Sequence, residues 1–262
     1  MCFSFNNHSL RRVVNVLHLG MADNVVGRHG IHTHNGSLHA RLFYFIAVHP
    51  DLMDITSRQN RTKTIIDLGA GEGNFMFVAS SQSSQRRSIL GPEINGDRVA
   101  LLQQRVALLV ANRLPVNLPE PMQGDFSSRP GSNERLAPYD RALANDVVIA
   151  WFNNAKEVMT REKNVQHALE KRFANCAEGS VLISLDRCFR GDLLWHEEGF
   201  EITVLRNDVS WHMTGDDEDE STIRLKLYKY TKKTRMQEGV GVSRRPLPKH
   251  KDLHFPFYDK SL

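Results

Sequence analysis

Residues 65–74 read Ile65-Ile66-Asp67-Leu68-Gly69-Ala70-Gly71-Glu72-Gly73-Asn74, an apolar run, an acid, and then glycines at alternate positions. Glycine is required where a chain turns tightly off a strand and where backbone must approach a ligand closely, because a Cβ would clash in both places. A turn of this kind suits a nucleotide-type cofactor, and two chemistries compete for it. The dinucleotide fingerprint spaces its glycines as GxGxxG, whereas here they stand at Gly69, Gly71 and Gly73, with Asn74 where the last glycine would fall. Asp67 also precedes the first glycine by two residues. A carboxylate there repels a pyrophosphate and attracts an amino or sulfonium cation. Spacing and charge together favour S-adenosylmethionine, with S-adenosylhomocysteine as its product, and mark Asp67, Gly69, Ala70, Gly71 and Asn74 as contacts.

Two further acids suit the same cleft. Ser88 to Glu93 reads as a strand whose last residue lies about 20 positions past the glycine loop, where a carboxylate can accept both ribose hydroxyls. Dinucleotide enzymes use the same device, so Glu93 alone does not separate the two cofactors. Gly124-Asp125-Phe126 ends a third strand, offering an acceptor to the adenine amino group and a flat apolar surface to the ring. In an open α/β sheet such strand ends meet at one crevice, where Asp67, Glu93 and Asp125 are expected to converge.

A sheet must hold these positions. Hydrophobic patterning predicts strands over 64–68, 89–93, 121–124, 141–145, 180–185, 201–205 and 223–230, with helices over 74–81, 96–112 and 163–175. Alternation of this kind means a parallel sheet covered on both faces. No helix fits between 206 and 222, so the final two strands are joined by a loop and must be antiparallel. The expected fold is α/β, the class I S-adenosylmethionine-dependent methyltransferase fold, a seven-stranded mostly parallel sheet with an antiparallel final pair. Before it, Ser37 can cap a helix carrying Leu38, Leu42, Phe45 and Ile46 on one face. The chain divides into an extension without clear period (1–28), a helical and loop segment covering the donor site (29–63), the catalytic domain (64–231) and a basic, flexible tail (232–262) whose glycines and prolines argue against a core element.

At 262 residues the chain can bury one good core with a small appendage. Its formal charge of +4 is compatible with an anionic partner without requiring one. The three cysteines, Cys2, Cys176 and Cys188, suggest neither a disulfide framework nor a zinc ribbon, which fits a reducing compartment. No apolar run is long enough to cross a bilayer, and the start lacks a secretory apolar region, so no membrane partner is expected. Residues 1–22 carry Arg11 and Arg12 without an acid, as transit peptides do; a plain extension is the favoured reading.

Five stretches carry a resemblance: DLGAGEG at Asp67–Gly73, GPE at Gly91–Glu93, GDF at Gly124–Phe126, Lys171-Arg172-Phe173-Ala174-Asn175 with Glu178-Gly179, and Val209-Ser210-Trp211. Over about residues 30–231 the chain resembles the disruptor-of-telomeric-silencing family, the non-SET lysine methyltransferases that modify the globular core of histone H-three. The first three stretches are general to methyltransferases; the last two are more particular. The compact size is similar to that of the trypanosomatid members. The resemblance implies methyl transfer to a lysine of histone H-three within nucleosomes, a nuclear location, and core histones and DNA phosphates as partners. It also implies an asparagine beside the lysine channel after the fourth strand. Asn145 ends the expected fourth strand and is favoured on position, while Asn153 and Asn154 reproduce the family's pair after a longer connection. Phe152 and Trp211 are candidate channel walls, with core packing an equal reading of either. Where the family has a tyrosine, glycine and glutamate motif over the donor, this chain has His34-Asn35-Gly36-Ser37, without the acid. A methyltransferase of the same fold acting on RNA or another protein is the alternative, as is a catalytically silent chromatin-binding module.

Transfer to a lysine is an in-line displacement by the neutral amine, so alignment and desolvation are the expected contributions and no essential general base is predicted. His29, His32, His34 and His39 could in principle chelate zinc, but no cysteine or acid completes the set, and no metal is expected. The acidic run from Asp216 to Glu220 reads as a solvated face, or as a guide for basic histone segments. From Lys229 to Lys251 the balance is basic, with Arg235, Arg244 and Arg245 among the cations, which suits a solubilising tail or a contact to DNA phosphates.

Overall fold

Ile65, Ile66, Asp67 and Leu68 are all buried in a strand, β1 (Thr64–Leu68), as befits a central parallel strand covered on both faces. The computed structural model describes residues 8–17, 19, 40–82, 87–153, 163–184, 199–213, 221–233 and 249–251. In chain order its elements are α1 (His8–Leu17), α2 (Ala40–Val48), β1, α3 (Asn74–Ser81), β2 (Ile89–Glu93), α4 (Gly96–Ala111), β3 (Glu120–Gln123), α5 (Ala137–Asn145), β4 (Val148–Phe152), α6 (Lys163–Ala174), β5 (Val181–Ser184), β6 (Phe200–Met213), β7 (Ser221–Lys232) and β8 (Lys249–Lys251).

The strands form one sheet in the order β3-β2-β1-β4-β5-β7-β6-β8. β1 to β5 are mutually parallel, and β7 runs antiparallel to both β5 and β6. The first seven strands therefore have the order and directions of the class I methyltransferase sheet, the fold expected from the pattern. Alternation along each strand divides the core in two. Ile65, Ile149, Trp151 and Ile183 face the layer that holds α1 to α4, while Ile66, Leu68, Ala150, Phe152 and Leu182 face α5 and α6. Trp151 is wedged between Phe43, edge-on at 5.7 Å between ring centroids, and Phe75 at 5.8 Å.

Several local expectations are corrected. Residues 141–145 are not a strand but the end of α5, where Tyr139, Ala142 and Leu143 are buried at helical spacing and Pro138 occupies the first turn. The fourth strand is the uninterrupted apolar run Val148–Phe152, buried at every position. Residues 8–17, read as part of an extension without period, form α1. Its Leu10, Val13 and Leu17 enter the core against α3 and α4. At the other end, β8 adds an eighth strand to the sheet, parallel to β6, inside the segment in which no core element was expected. Little of that strand is apolar, and Lys251 Nζ instead donates to Asp51 Oδ1. Lys232 is likewise buried, its ammonium donating to Ala174 O at 2.6 Å and lying 4.8 Å from the Phe200 ring centre.

Candidate active site

The register brings the strand ends level. Leu68 lies opposite Phe152, Phe152 opposite Ser184, and Glu93 opposite Gln123, so the loops after β1, β2, β3 and β4 open on one crevice. The glycine loop is anchored there by Gly69 and Ala70, whose N–H groups donate to Pro92 O at 3.0 and 3.1 Å. All three glycines are left-handed, with φ of 67°, 56° and 76° at Gly69, Gly71 and Gly73. They do different work. A Cβ on Gly73 would stand 2.4 Å from Leu102 Cδ2 and 2.8 Å from Phe77, so this glycine serves helix packing. One on Gly71 would meet nothing nearer than 3.9 Å among the described residues, so there this glycine leaves a space open. Asn74 follows as the first residue of α3, half-buried, and Ala70 is buried. Arg105 on α4 holds the loop from outside, donating to Glu72 O and lying 3.4 Å from its carboxylate.

Asp67 is buried at the end of β1, where its Oδ2 accepts from Met76 N at 3.2 Å. Gly73, the residue preceding α3, has no side chain to cap the helix, so Asp67 supplies a carboxylate to its first turn. Burial nevertheless raises its pKa well above the usual carboxylate range, and the nearby Glu93 charge pushes the same way. Glu93 is also buried; Oε2 accepts from Gly71 N at 2.8 Å and Oε1 from Asn95 N at 2.9 Å. Each oxygen keeps a second lone pair for a hydroxyl donor.

Asp125 sits half-buried after β3, its Oδ1 accepting from Ser127 N at 2.7 Å and Ser127 Oγ at 2.6 Å. The turn aims Phe126 back over the glycine loop, with its ring edge 3.3 Å from where a Gly69 Cβ would stand. The Phe126 ring meets Phe152 edge-on at 5.4 Å. Tyr139 Oη donates to Phe126 O at 3.1 Å, and the buried Arg172 donates to Ser128 O and to Asp140 Oδ1. Arg172, noted in the sequence only as part of the resemblance, is thus the clamp joining α6 to the β3 turn.

The remaining candidates separate. Asp67, Gly69, Ala70, Gly71, Asn74, Glu93, Asp125, Phe126, Phe152 and Asn153 share the crevice. Asn145 does not: it is the exposed last residue of α5, its Nδ2 donating to Arg141 O at 3.1 Å within the same helix. The strand end that Asn145 was expected to occupy belongs to Asn153, directly after Phe152. Trp211 lies on β6 opposite Ile223, beyond the level where β5 ends, and four strand spacings from β1, about 19 Å across the sheet. Its side chain lies outside the described residues, as do Asn154, the histidine cluster, the His34–Ser37 segment and the acidic run. Among the described residues no group of three potential metal ligands occurs, and no helix is long and apolar enough to cross a membrane. One residue passed over in the sequence is Ile94, 69% exposed between Glu93 and Asn95. A large apolar side chain held out directly after the buried Glu93 was a signal available from its position after the strand.

No family model matches the chain, and no curated protein matches it. Solved structures with a similar arrangement include TrmN from Thermus thermophilus, at 13% identity and a TM-score of 0.48 over 76% of this chain and 50% of that one. A precorrin-6y C5,15-methyltransferase from Geobacter metallireducens is similar at 14% identity and TM-score 0.39, covering 68% of this chain and 91% of its own. A methyltransferase from Geobacter sulfurreducens is similar at 16% identity and TM-score 0.38, covering 73% and 78%. At such values the fold rests on the strand order itself, and the site on its residues.

Proposed function

We propose that the chain is an S-adenosylmethionine-dependent methyltransferase whose substrate is a lysine in the globular core of histone H-three within nucleosomes. The observation that carries the donor is the convergence of Asp67, Glu93 and Asp125 on a glycine loop whose Gly71 leaves space open. Asp67 is a buried acid wanting a cation, which the donor's amino group and sulfonium provide. Glu93 suits the ribose hydroxyls, Asp125 the adenine amino group through Oδ2, and Phe126 with Ile94 the two faces of the ring. When bound, the donor supplies an electrophilic methyl on sulfur. The chain's part is to align it: Asn153 at the end of β4 positions the incoming amine, and Phe152 with Phe126 keeps water out. No side chain is assigned as general base.

The choice of lysine rests on the resemblance at Arg172–Asn175 and Val209–Trp211. Nucleosomal DNA phosphates would be met by Arg235, Arg244 and Arg245, because Lys229, Lys232 and Lys251 donate within the chain to Asp51 O, Ala174 O and Asp51 Oδ1. A nuclear location belongs to the same proposal.

Labelled donor offered with nucleosomes, free histones, other proteins and RNA in separate reactions tests this reading. Label in histone H-three lysine, found by mass spectrometry, is the expected result, and its yield should fall less steeply with salt once Arg244 and Arg245 are replaced by Gln. Label in RNA alone would transfer the chain to the other substrate class, and none anywhere would leave a binding module. In the same assay Asn153→Ala should lower kcat/KM about tenfold or more, through lost positioning. Asn145→Ala should leave both rate and stability nearly unchanged, as exposed substitutions away from a site do.

A further inference from the structure

A second concavity lies outside the donor crevice, between α5, α6 and the loop that follows the β3 turn. It encloses about 510 Å³ and is lined by Ser128, Arg129, Leu143, Ala168, Lys171 and Arg172, among others. That volume is the size of a small-molecule site. None of the glycine-loop residues, nor Glu93 or Asn153, contributes to it.

Among the described residues the lining has one acid, Asp140, and its charge is already matched. Oδ1 lies 2.6 Å from Arg172 Nη1, and Oδ2 accepts from Gly131 N at 2.8 Å. Arg129 and Lys171 remain as exposed cations on the lining, over an apolar floor of Leu143, Ala144, Ala168 and Pro130. Among the described residues, two buried polar atoms of the lining residues, Ser128 Oγ and Arg172 Nε, have no hydrogen-bond partner. Both atoms are sealed from solvent, so a ligand in the concavity meets the exposed Arg129 and Lys171 rather than these atoms. We propose that this cavity is a second binding site, for a small organic anion with a carboxylate or phosphate on an apolar body. The anion pairs with Arg129 and Lys171 while the body packs on the floor. Because Arg172 also donates to Ser128 O, three residues after Asp125, occupancy is coupled to the donor turn. That coupling rests on the proposed donor site; the binding itself does not.

Titration of the full chain with benzoate, phenyl phosphate and uncharged phenol, followed by calorimetry, tests the binding. Saturable binding of at least one anion, with phenol about tenfold weaker or undetectable, is expected. Ala168→Trp should abolish it by filling the floor, and Lys171→Glu should weaken it about tenfold, each with donor affinity kept. Binding that survives both substitutions places the anion elsewhere on this basic chain and overturns the proposal, as does absence of saturable binding by either anion. The two anions distinguish a carboxylate ligand from a phosphate. Donor affinity remeasured at saturating anion then reads the coupling: a shift of about twofold or more supports it, and no shift removes that part while leaving the site.

Discussion

Asp67→Asn is expected to make the ligand-free protein more heat-stable at pH 7 and to weaken donor binding at least tenfold. Both effects follow from one buried carboxylate. Folding takes Asp67 out of water beside another acid, which raises its pKa well above the ordinary carboxylate range. A raised acid binds more protons in the folded state than in the unfolded one. Its contribution to stability is therefore complete below the unfolded pKa of about 3.9 and is lost as pH rises through the folded value. At neutrality the ionised form is a burden. Asn keeps a carbonyl for the Met76 N–H, so the first turn of α3 stays capped while the burden goes. For a chain of this length each kcal/mol recovered moves Tm by about 2–4 °C. Thermal scans from pH 4 to pH 8 should show the gap between variant and parent widening with pH. The donor side has the opposite sign, because a cation in the crevice needs the ionised form, and removing one partner of a buried charge pair costs about 2–5 kcal/mol. Calorimetry with donor and with demethylated product locates the contact. Equal losses point to the amino group, a loss with the donor alone points to the sulfonium, and no loss with either means that Asp67 is only a helix cap.

The part of the site that could be read from sequence is the part built from strand ends with special residue types. Gly69, Gly71, Glu93 and Asp125 each stand at or just past a strand end as a residue a strand does not need, and the sheet order then makes them neighbours. What could not be read was decided by packing. Arg141 to Asn145 is a short apolar run between polar ends, and only the burial of Tyr139, Ala142 and Leu143 together declares the helix. Taking it as a strand advanced the fourth strand end to Asn145, eight residues before the true one at Asn153. α1 shows the reverse failure. Leu10, Val13 and Leu17 keep a helical period, but the apolar Val14 and Val16 between them blur it. β8 offered no local signal, since its backbone pairing with β6 and the Lys251 contact to Asp51 are both long-range. Arg172 lay in a recognisable motif, yet its service to Ser128, on a loop 44 residues earlier, exists only in three dimensions.

Gly71→Ala and Gly73→Ala should fail in different ways, although they stand two residues apart in one loop. Both sites have φ in the left-handed region, at 56° and 76°, so each alanine carries a backbone cost of about 1–2 kcal/mol. Beyond that the surroundings decide. At Gly73 the new methyl would overlap Leu102 Cδ2 at 2.4 Å and Phe77 at 2.8 Å in the packed layer between α3 and α4, and overpacking adds about 1–3 kcal/mol. The sum approaches the whole margin of many domains, so this variant should melt far below the parent or fail to accumulate. At Gly71 nothing among the described residues lies closer than 3.9 Å, so the variant should fold with a modest loss of Tm. Its methyl then stands in the space assigned to the donor, next to the N–H that Glu93 holds at 2.8 Å. Donor affinity should drop by an order of magnitude or more in a protein whose circular dichroism is unchanged, as a close backbone approach to a ligand requires. A folded Gly71→Ala protein that binds donor as the parent does would move the cofactor off this loop, whatever becomes of Gly73→Ala.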